Sequence, residues 1–189
     1  MTERKRVLPI LAIDLGTYTG WALRDVWGEV TSGSQSFDLG RWESHGMRLL
    51  RFRKWVREML DKHLMAGEPD EALVVYERPI VAGTPSKKKK MNMSGNEVGK
   101  MLAGALLPEL EERGLHNAAP TPVQVKKAAC GKGNANKAHM ASAAAQLWPH
   151  YEIPKEFDPK KGDDEADALC ILYWGITEAQ NAGPSGYNP

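Results

Sequence analysis

The sequence predicts an α/β fold, and three features predict it. Residues 7–14 (V-L-P-I-L-A-I-D) and 72–77 (A-L-V-V-Y-E) are short, nearly continuous apolar runs, the pattern of strands buried on both faces. Longer stretches between and after them carry apolar residues at helical spacing. Glycines and prolines stand at the joints between these stretches.

Taken in order, strands are expected at 7–14, 19–25 and 29–37, with Gly16, Gly20, Gly28 and Gly33 marking turns or close approaches. Residues 43–65 form a helix with Leu49, Phe52, Val56, Met59, Leu60 and His63 near one face, His63 reading as a helix-end residue rather than a ligand. The strand at 72–77 leads into a Lys-rich loop over 79–93, expected to be mobile until substrate arrives. A helix over 95–113 follows, closed by Gly114, with Pro108 inside it predicting a kink or an early stop. A weak strand at 115–119 precedes helices at 121–129 and 135–148, the second ended by Pro149. Residues 149–162, with three prolines, link to a last helix from 163 to about 180. The chain reads as one domain over 1–180 with a flexible tail at 181–189.

A length of 189 residues allows one sizeable core, and 42% hydrophobic residues is ordinary for a soluble protein. Cys130 and Cys170 are too few for a disulfide scaffold and lie in no zinc-type spacing. No apolar run approaches a membrane span, and the N-terminus has no signal-type apolar region, so a cytoplasmic protein is expected. The net charge of +1 conceals clusters: R-K-R at 4–6; Arg48, Arg51, Arg53, Lys54 and Arg57 on one helix; Lys87, Lys88, Lys89 and Lys90 in a row; and Lys126, Lys127, Lys132 and Lys137 further on. Such runs are commonly solvated loops, but the four adjacent lysines follow an acidic strand end within reach of a polyanion held there.

The chemistry lies in the acids. Asp14 and Glu77 end the two apolar strands, where a carboxylate costs several kcal/mol unless a cation or donors compensate it. If those strands are neighbours, the two charges lie side by side. The segment G-D-D-E-A-D-A-L from Gly162 opens a helix with acids, and Asp164 and Asp167, three apart, share a helical face with Cβ atoms roughly 5–6 Å apart. Asp163 and Asp167, four apart, fit equally well, and helix-start acids also serve as caps and dipole partners. Four carboxylates from three parts of the chain can build a divalent-metal site, and hard oxygen donors without a Cys/His cluster favour Mg²⁺ or Mn²⁺ over Zn²⁺.

Four patches in order, I-D-L-G-T-Y-T-G at Asp14, V-V-Y-E-R-P at Glu77, V-Q-V-K-K-A-A-C-G-K-G-N-A-N-K around Lys126 and Lys137, and D-E-A-D-A-L at Asp164 and Asp167, resemble the RuvC family of Holliday-junction resolvases, particularly phage-type members, within the RNase H-like superfamily. The resemblance spans roughly residues 7–176. It implies a mixed five-stranded β-sheet flanked by α-helices, and a metal-dependent endonuclease that nicks four-way junctions, to which a departure at Ile80 adds other branched DNA such as forks and flaps. It further implies two Mg²⁺ (or Mn²⁺) ions held by Asp14, Glu77, Asp164 and Asp167, with Lys137 beside the scissile phosphate and Lys126 on the DNA backbone. A homodimer matching the junction's two-fold symmetry follows, with the 95–113 helix as candidate interface through Met101, Leu102, Leu106 and Leu107. The implied setting is a bacterial or phage-infected cytoplasm. One departure is Ile80, where bacterial members carry an aromatic three residues after the glutamate; an aliphatic side chain can wedge but not stack, and Lys87–Lys90 add backbone attraction in the same loop.

Two other classes fit parts of the sequence. D-L-G-T-Y-T-G also suits the phosphate loop of actin-like kinases and ATPases, although the chain lacks the length and second phosphate motif they need. A junction-binding module that does not cut would retain the same fold, and ribonuclease or transposase relatives would differ in substrate.

Overall fold

The computed structural model describes residues 5–64, 72–79, 95–158, 160 and 162–182. Five strands, β1 (Ile10–Asp14), β2 (Tyr18–Arg24), β3 (Val30–Ser36), β4 (Leu73–Tyr76) and β5 (His116–Ala118), form one mixed sheet in the order β3-β2-β1-β4-β5. The helices are α1 (His45–His63), α2 (Gly95–Glu111), α3 (Pro122–Cys130), α4 (Lys137–Leu147) and α5 (Asp164–Ala182). β1, β2 and β3 pair antiparallel, whereas β4 runs parallel to both β1 and β5.

The central position of β1 explains its composition. Ile10, Leu11, Ala12 and Ile13 are fully buried, because the sheet is covered on both faces. Ile10 and Ala12 point into a core shared with Leu73 and Val75 of β4, Val125 of α3, Met140 of α4 and Leu169 of α5. Leu11 and Ile13 point the other way, into a core shared with Phe52, Val56 and Leu60 of α1 and Leu102 and Leu106 of α2. Strand alternation therefore places Asp14, two residues beyond Ala12, on the face covered by α5.

Element ends follow local chemistry. α3 starts at a capping box in which Thr121 accepts from the Gln124 backbone and Gln124 reaches back to Thr121, and α4 starts at an equivalent pairing of Asn136 with His139. α2 passes through Pro108 and ends at Glu111, short of the expected residue 113. Its last turn tightens there, with Arg113 N–H donating to Leu110 O (3.1 Å) and Gly114, at φ +64°, donating to Glu111 O (3.1 Å).

The expectation that Leu102 and Leu106 supply an interface is corrected. Both are fully buried against α1, because the apolar stripe of α2 already has a partner in the same chain. α1 and α2 are further joined by Glu109, fully buried, which accepts from Arg53 Nε (2.8 Å), Arg57 Nε (2.7 Å) and Arg113 NH1 (3.1 Å). The hydrogen bond from Arg57 leads the effects that hold the Glu109 carboxyl down at about 2. Among the described residues no helix is long and apolar enough to cross a membrane.

Candidate active site

The sheet topology brings the two strand-end acids together. β1 and β4 are parallel neighbours in the register Ile13↔Tyr76, so the next step along both strands sets Asp14 beside Glu77. Leu73 and Val75 face the α5 side, and alternation gives Glu77 the same face. On the other flank, Asp14 pairs with Gly20 of β2.

Gly20 is where the third element arrives. A Cβ at this position would lie 1.7 Å from Asp164 O and 2.4 Å from its carbonyl carbon. Only a residue without a side chain lets the first turn of α5 settle on the strand opposite Asp14.

The acids of that turn divide into separate tasks. Asp163 precedes the helix; its Oδ1 accepts from Glu165 N (3.0 Å) and its Oδ2 from the hydroxyl of buried Tyr151 (2.6 Å). It caps the helix start. Glu165 is held by Ser32 of β3, whose hydroxyl donates to Oε1 at 2.6 Å. Asp164 and Asp167 remain, and Asp167, on a largely buried side chain, pairs with the ammonium of Lys137.

Lys137 reaches Asp167 because two local features aim it. The Asn136–His139 capping box fixes the start of α4. Its stem then passes over Gly162, whose φ is +84° and where a Cβ would meet Lys137 Cδ at 2.6 Å. The lysine stem therefore runs along Gly162 to reach Asp167 in the first turn of α5.

Charge crowding joins the four carboxylates. Burial is the leading cause raising the pKa of Asp14, Glu77, Asp164 and Asp167, and for the first three the charge of Asp167 comes next. Asp14 is raised furthest, well above the ordinary carboxylate value, with Glu77 and Asp164 adding to the effect. Lys137 opposes the shift at all four acids. Burial pulls its own pKa down, but the charge and hydrogen bond of Asp167 outweigh that and raise it. The charge of Lys126 also reaches Glu77 and Asp167.

A cleft of about 450 Å³ opens beside Asp14 and Glu77, lined also by Arg78, Pro79, Asn96 and Gly99. Arg78 does not take up Glu77; its Nε donates to Ala119 O at 3.2 Å and its backbone N–H to Pro120 O at 2.8 Å. The donor set suits a hard divalent cation: carboxylate oxygens on buried or half-buried side chains, crowded by the charge of Asp167, whose ionised forms gain from a positive charge between them. As they stand, no three donors among the described residues are gathered as ready-made ligands, Asp167 being turned onto Lys137.

The structure thus brings Asp14, Glu77, Asp164 and Asp167 to one end of the sheet, with Lys137 paired to Asp167 and the charge of Lys126 reaching Glu77 and Asp167. Ile80 and Lys87, Lys88, Lys89 and Lys90 lie outside the described residues, as do most of the loop over 79–93 and residues 183–189. Sequence reading did not single out Tyr151, Ser32 or Gly162. Tyr151 and Ser32 carry no local signal of their long-range partners, whereas Gly162, directly before an acidic helix start, marks a turn needing positive φ.

The actin-like reading of D-L-G-T-Y-T-G does not match this geometry. Thr19 is fully buried and its hydroxyl donates to Gly16 O at 2.8 Å, so it is engaged within its own turn rather than presented to a phosphate.

No protein-family model matches the chain. The crossover junction endodeoxyribonuclease RuvC of Salinibacter ruber is 30% identical over 187 residues, spanning 93% of this chain and 89% of that protein. This chain belongs to the RuvC family of crossover junction endodeoxyribonucleases. The RuvC of Azorhizobium caulinodans is 32% identical over 138 residues, or 73% of this chain and 68% of that protein. The solved RuvC of Thermus thermophilus shares the fold at a TM-score of 0.63 and 22% identity, over 92% of this chain and 96% of that one. The same RuvC in complex with a Holliday junction substrate gives a TM-score of 0.62 at 23% identity. The mixed five-stranded sheet is thus the RuvC sheet, of RNase H-like type.

Proposed function

We propose that this chain is a divalent-metal-dependent endonuclease that nicks four-way DNA junctions and other branched DNA. The observation that carries this reading is the convergence of Asp14, Glu77 and the first turn of α5, with Asp164 and Asp167, at one sheet end, where Lys137 pairs with Asp167. Asp14, Glu77, Asp164 and Asp167 would hold the metal, two Mg²⁺ or Mn²⁺ ions. When bound, the metal supplies an activated water and a Lewis acid for the leaving 3′ oxygen of the scissile phosphate.

The remaining work falls to this chain's own groups. Lys137 offsets the phosphate's negative charge, and Lys126 holds the neighbouring backbone. Lys87–Lys90 draw the polyanion towards the site, and Ile80 wedges at the branch without stacking, which favours broad branched-DNA selectivity. Residues 1–180 act as one nuclease domain in a bacterial or phage-infected cytoplasm.

Symmetric resolution needs two sites, so the working species is a homodimer. An apolar groove of about 600 Å³ between α1 and α2, lined by Met47, Leu50, Met101, Gly104, Ala105 and Pro108, supports that reading. It keeps Met101 from the sequence-based interface and replaces Leu102 and Leu106 with exposed residues of α1.

The test is a substitution panel read for nicking and binding separately. Asp14→Asn, Glu77→Gln, Asp164→Asn and Asp167→Asn each abolish nicking and leave junction binding largely intact. Asp163→Asn, which keeps a capping side chain, retains nicking. Normal cleavage by Asp14→Asn would sink the mechanism.

A further inference from the structure

Tyr18 occupies a place that neither the core nor the acidic site accounts for. It opens β2, and along that strand residues 18, 20 and 22 share one face. Ala22 packs into the core on the α5 side, and Gly20 meets the backbone of Asp164. Tyr18 therefore rises from the face that bears the acids. Because Asp14, the last residue of β1, pairs with Gly20, Tyr18 stands beyond the end of β1, at the rim past Asp14. The charge of Asp164 reaches its phenol.

Tyr18 is nevertheless 54% exposed, and it is held still. Its hydroxyl donates to Asp38 Oδ2 at 2.5 Å. The segment bearing Asp38 is itself fixed: Phe37 N–H donates to Thr17 O (2.7 Å), Asp38 N–H to Ser36 Oγ (3.3 Å) and Arg51 NH1 to Asp38 O (3.1 Å). With the hydroxyl engaged by a carboxylate, which also raises its pKa, the phenol is not poised as a nucleophile. What the residue offers outward is an oriented aromatic face. Flanked by Asp38 and Asp164, that face suits an uncharged π surface better than a phosphate.

We propose that Tyr18 is a substrate-contacting residue whose ring stacks on an unpaired nucleobase of the DNA strand seated at the acids. The inference rests on the DNA-nicking reading and deepens it. The ring fixes the register of the strand by a contact available only where a base is unpaired, as at a branch, and not in intact duplex.

The test compares Tyr18→Phe, Tyr18→Leu and the wild-type protein. Binding of a four-way junction and of linear duplex is measured in Ca²⁺, and nicking in Mg²⁺. Phe keeps the ring and loses the tie to Asp38; Leu loses both. The expected result is wild-type behaviour within about twofold for Phe, and junction binding weakened about 5- to 150-fold for Leu, the range of base–aromatic stacking. Duplex binding stays unchanged in both. With 2-aminopurine at the branch, wild-type protein quenches its fluorescence and the Leu variant does not, a readout that a purely structural tie would not move. Equal losses for Phe and Leu, or wild-type junction binding by Leu, would overturn the proposal. Wild-type protein that neither binds nor nicks branched DNA would overturn the nuclease reading itself, a distinct result.

Discussion

Replacing Gly20 with alanine inserts a methyl where the backbone of α5 already lies. The new Cβ would sit 1.7 Å from Asp164 O, whereas real Cβ contacts essentially never fall below 3.0 Å, so the helix start must retreat by about 1.3 Å. No side-chain rotation relieves the clash, because the obstructing atoms are backbone. The helix is pinned further along by fully buried Leu169, Leu172 and Ala168, so the strain falls on its first turn. Overpacking of this kind costs about 1–3 kcal/mol. The same retreat moves Asp164 and Asp167 away from Asp14, and a misplacement of ~1 Å in an active site costs about 100-fold in rate. Urea unfolding followed by circular dichroism measures the first effect, and single-turnover nicking below the unfolding midpoint measures the second. Gly20→Ala is expected to remain folded, lose stability in that range and nick about 100-fold more slowly. Wild-type nicking by folded Gly20→Ala would refute the reasoning that this glycine positions the site.

Lys137→Ala is expected to slow nicking about 100-fold, in line with loss of one group facing developing charge, while junction affinity falls less than about fivefold; an unchanged rate removes its proposed role. Asp14→Asn should stabilise the protein in EDTA at neutral pH by ~0.5–2 kcal/mol, the usual size of a single stabilising substitution. The folded pKa of Asp14 is raised, so the unfolded chain loses its proton first and stability falls as pH rises from the ordinary carboxylate value through the folded one. Thermal melts at pH 4 and pH 8 for both proteins test this, and Mg²⁺ should raise the melting temperature of the wild type more than that of Asp14→Asn. Glu109→Gln removes the carboxylate shared by three arginines and should cost somewhat less than the ~3–5 kcal/mol of a broken buried pair, since Arg53 and Arg57 are 40% and 47% exposed and can turn to water and Arg113 keeps its salt bridge to Asp61 (3.2 Å). With the folded Glu109 carboxyl at about 2, its contribution is present above the ordinary glutamate value of 4.5 and lost as pH falls towards 2. Acid unfolding should therefore be shallower in Glu109→Gln.

The central strands were the most legible part of the fold. β1 and β4 are covered on both faces, so burial wrote itself into unbroken apolar runs, and a carboxylate ending each run stood out. Helix starts were legible to within a residue or two, because the capping pairs at Thr121 and Asn136 are local. Where a partner lies far along the chain, sequence spacing was silent. Asp163 and Asp164 fit the same helical face by i,i+4 and i,i+3 spacing, and the bond that Asp163 accepts from Tyr151, in the irregular segment after α4, has no signal in that spacing. The apolar stripe of α2 showed that Leu102 and Leu106 would be covered, but not by what; α1 of the same chain covers them. Gly20 was legible as a turn or close approach, yet its neighbour, the backbone of Asp164, is 144 residues away in sequence and follows from topology alone.

The most direct test is cleavage of an end-labelled four-way junction, beside fork, flap, linear duplex and RNA–DNA hybrid, with Mg²⁺, Mn²⁺ or EDTA and with Asp14→Asn in parallel. Paired, symmetric nicks in the junction that require both metal and Asp14 are predicted, with forks and flaps also cut. Tight junction binding by folded protein with no cleavage of any substrate in either metal would contradict the account and leave the acids as a structural or regulatory site.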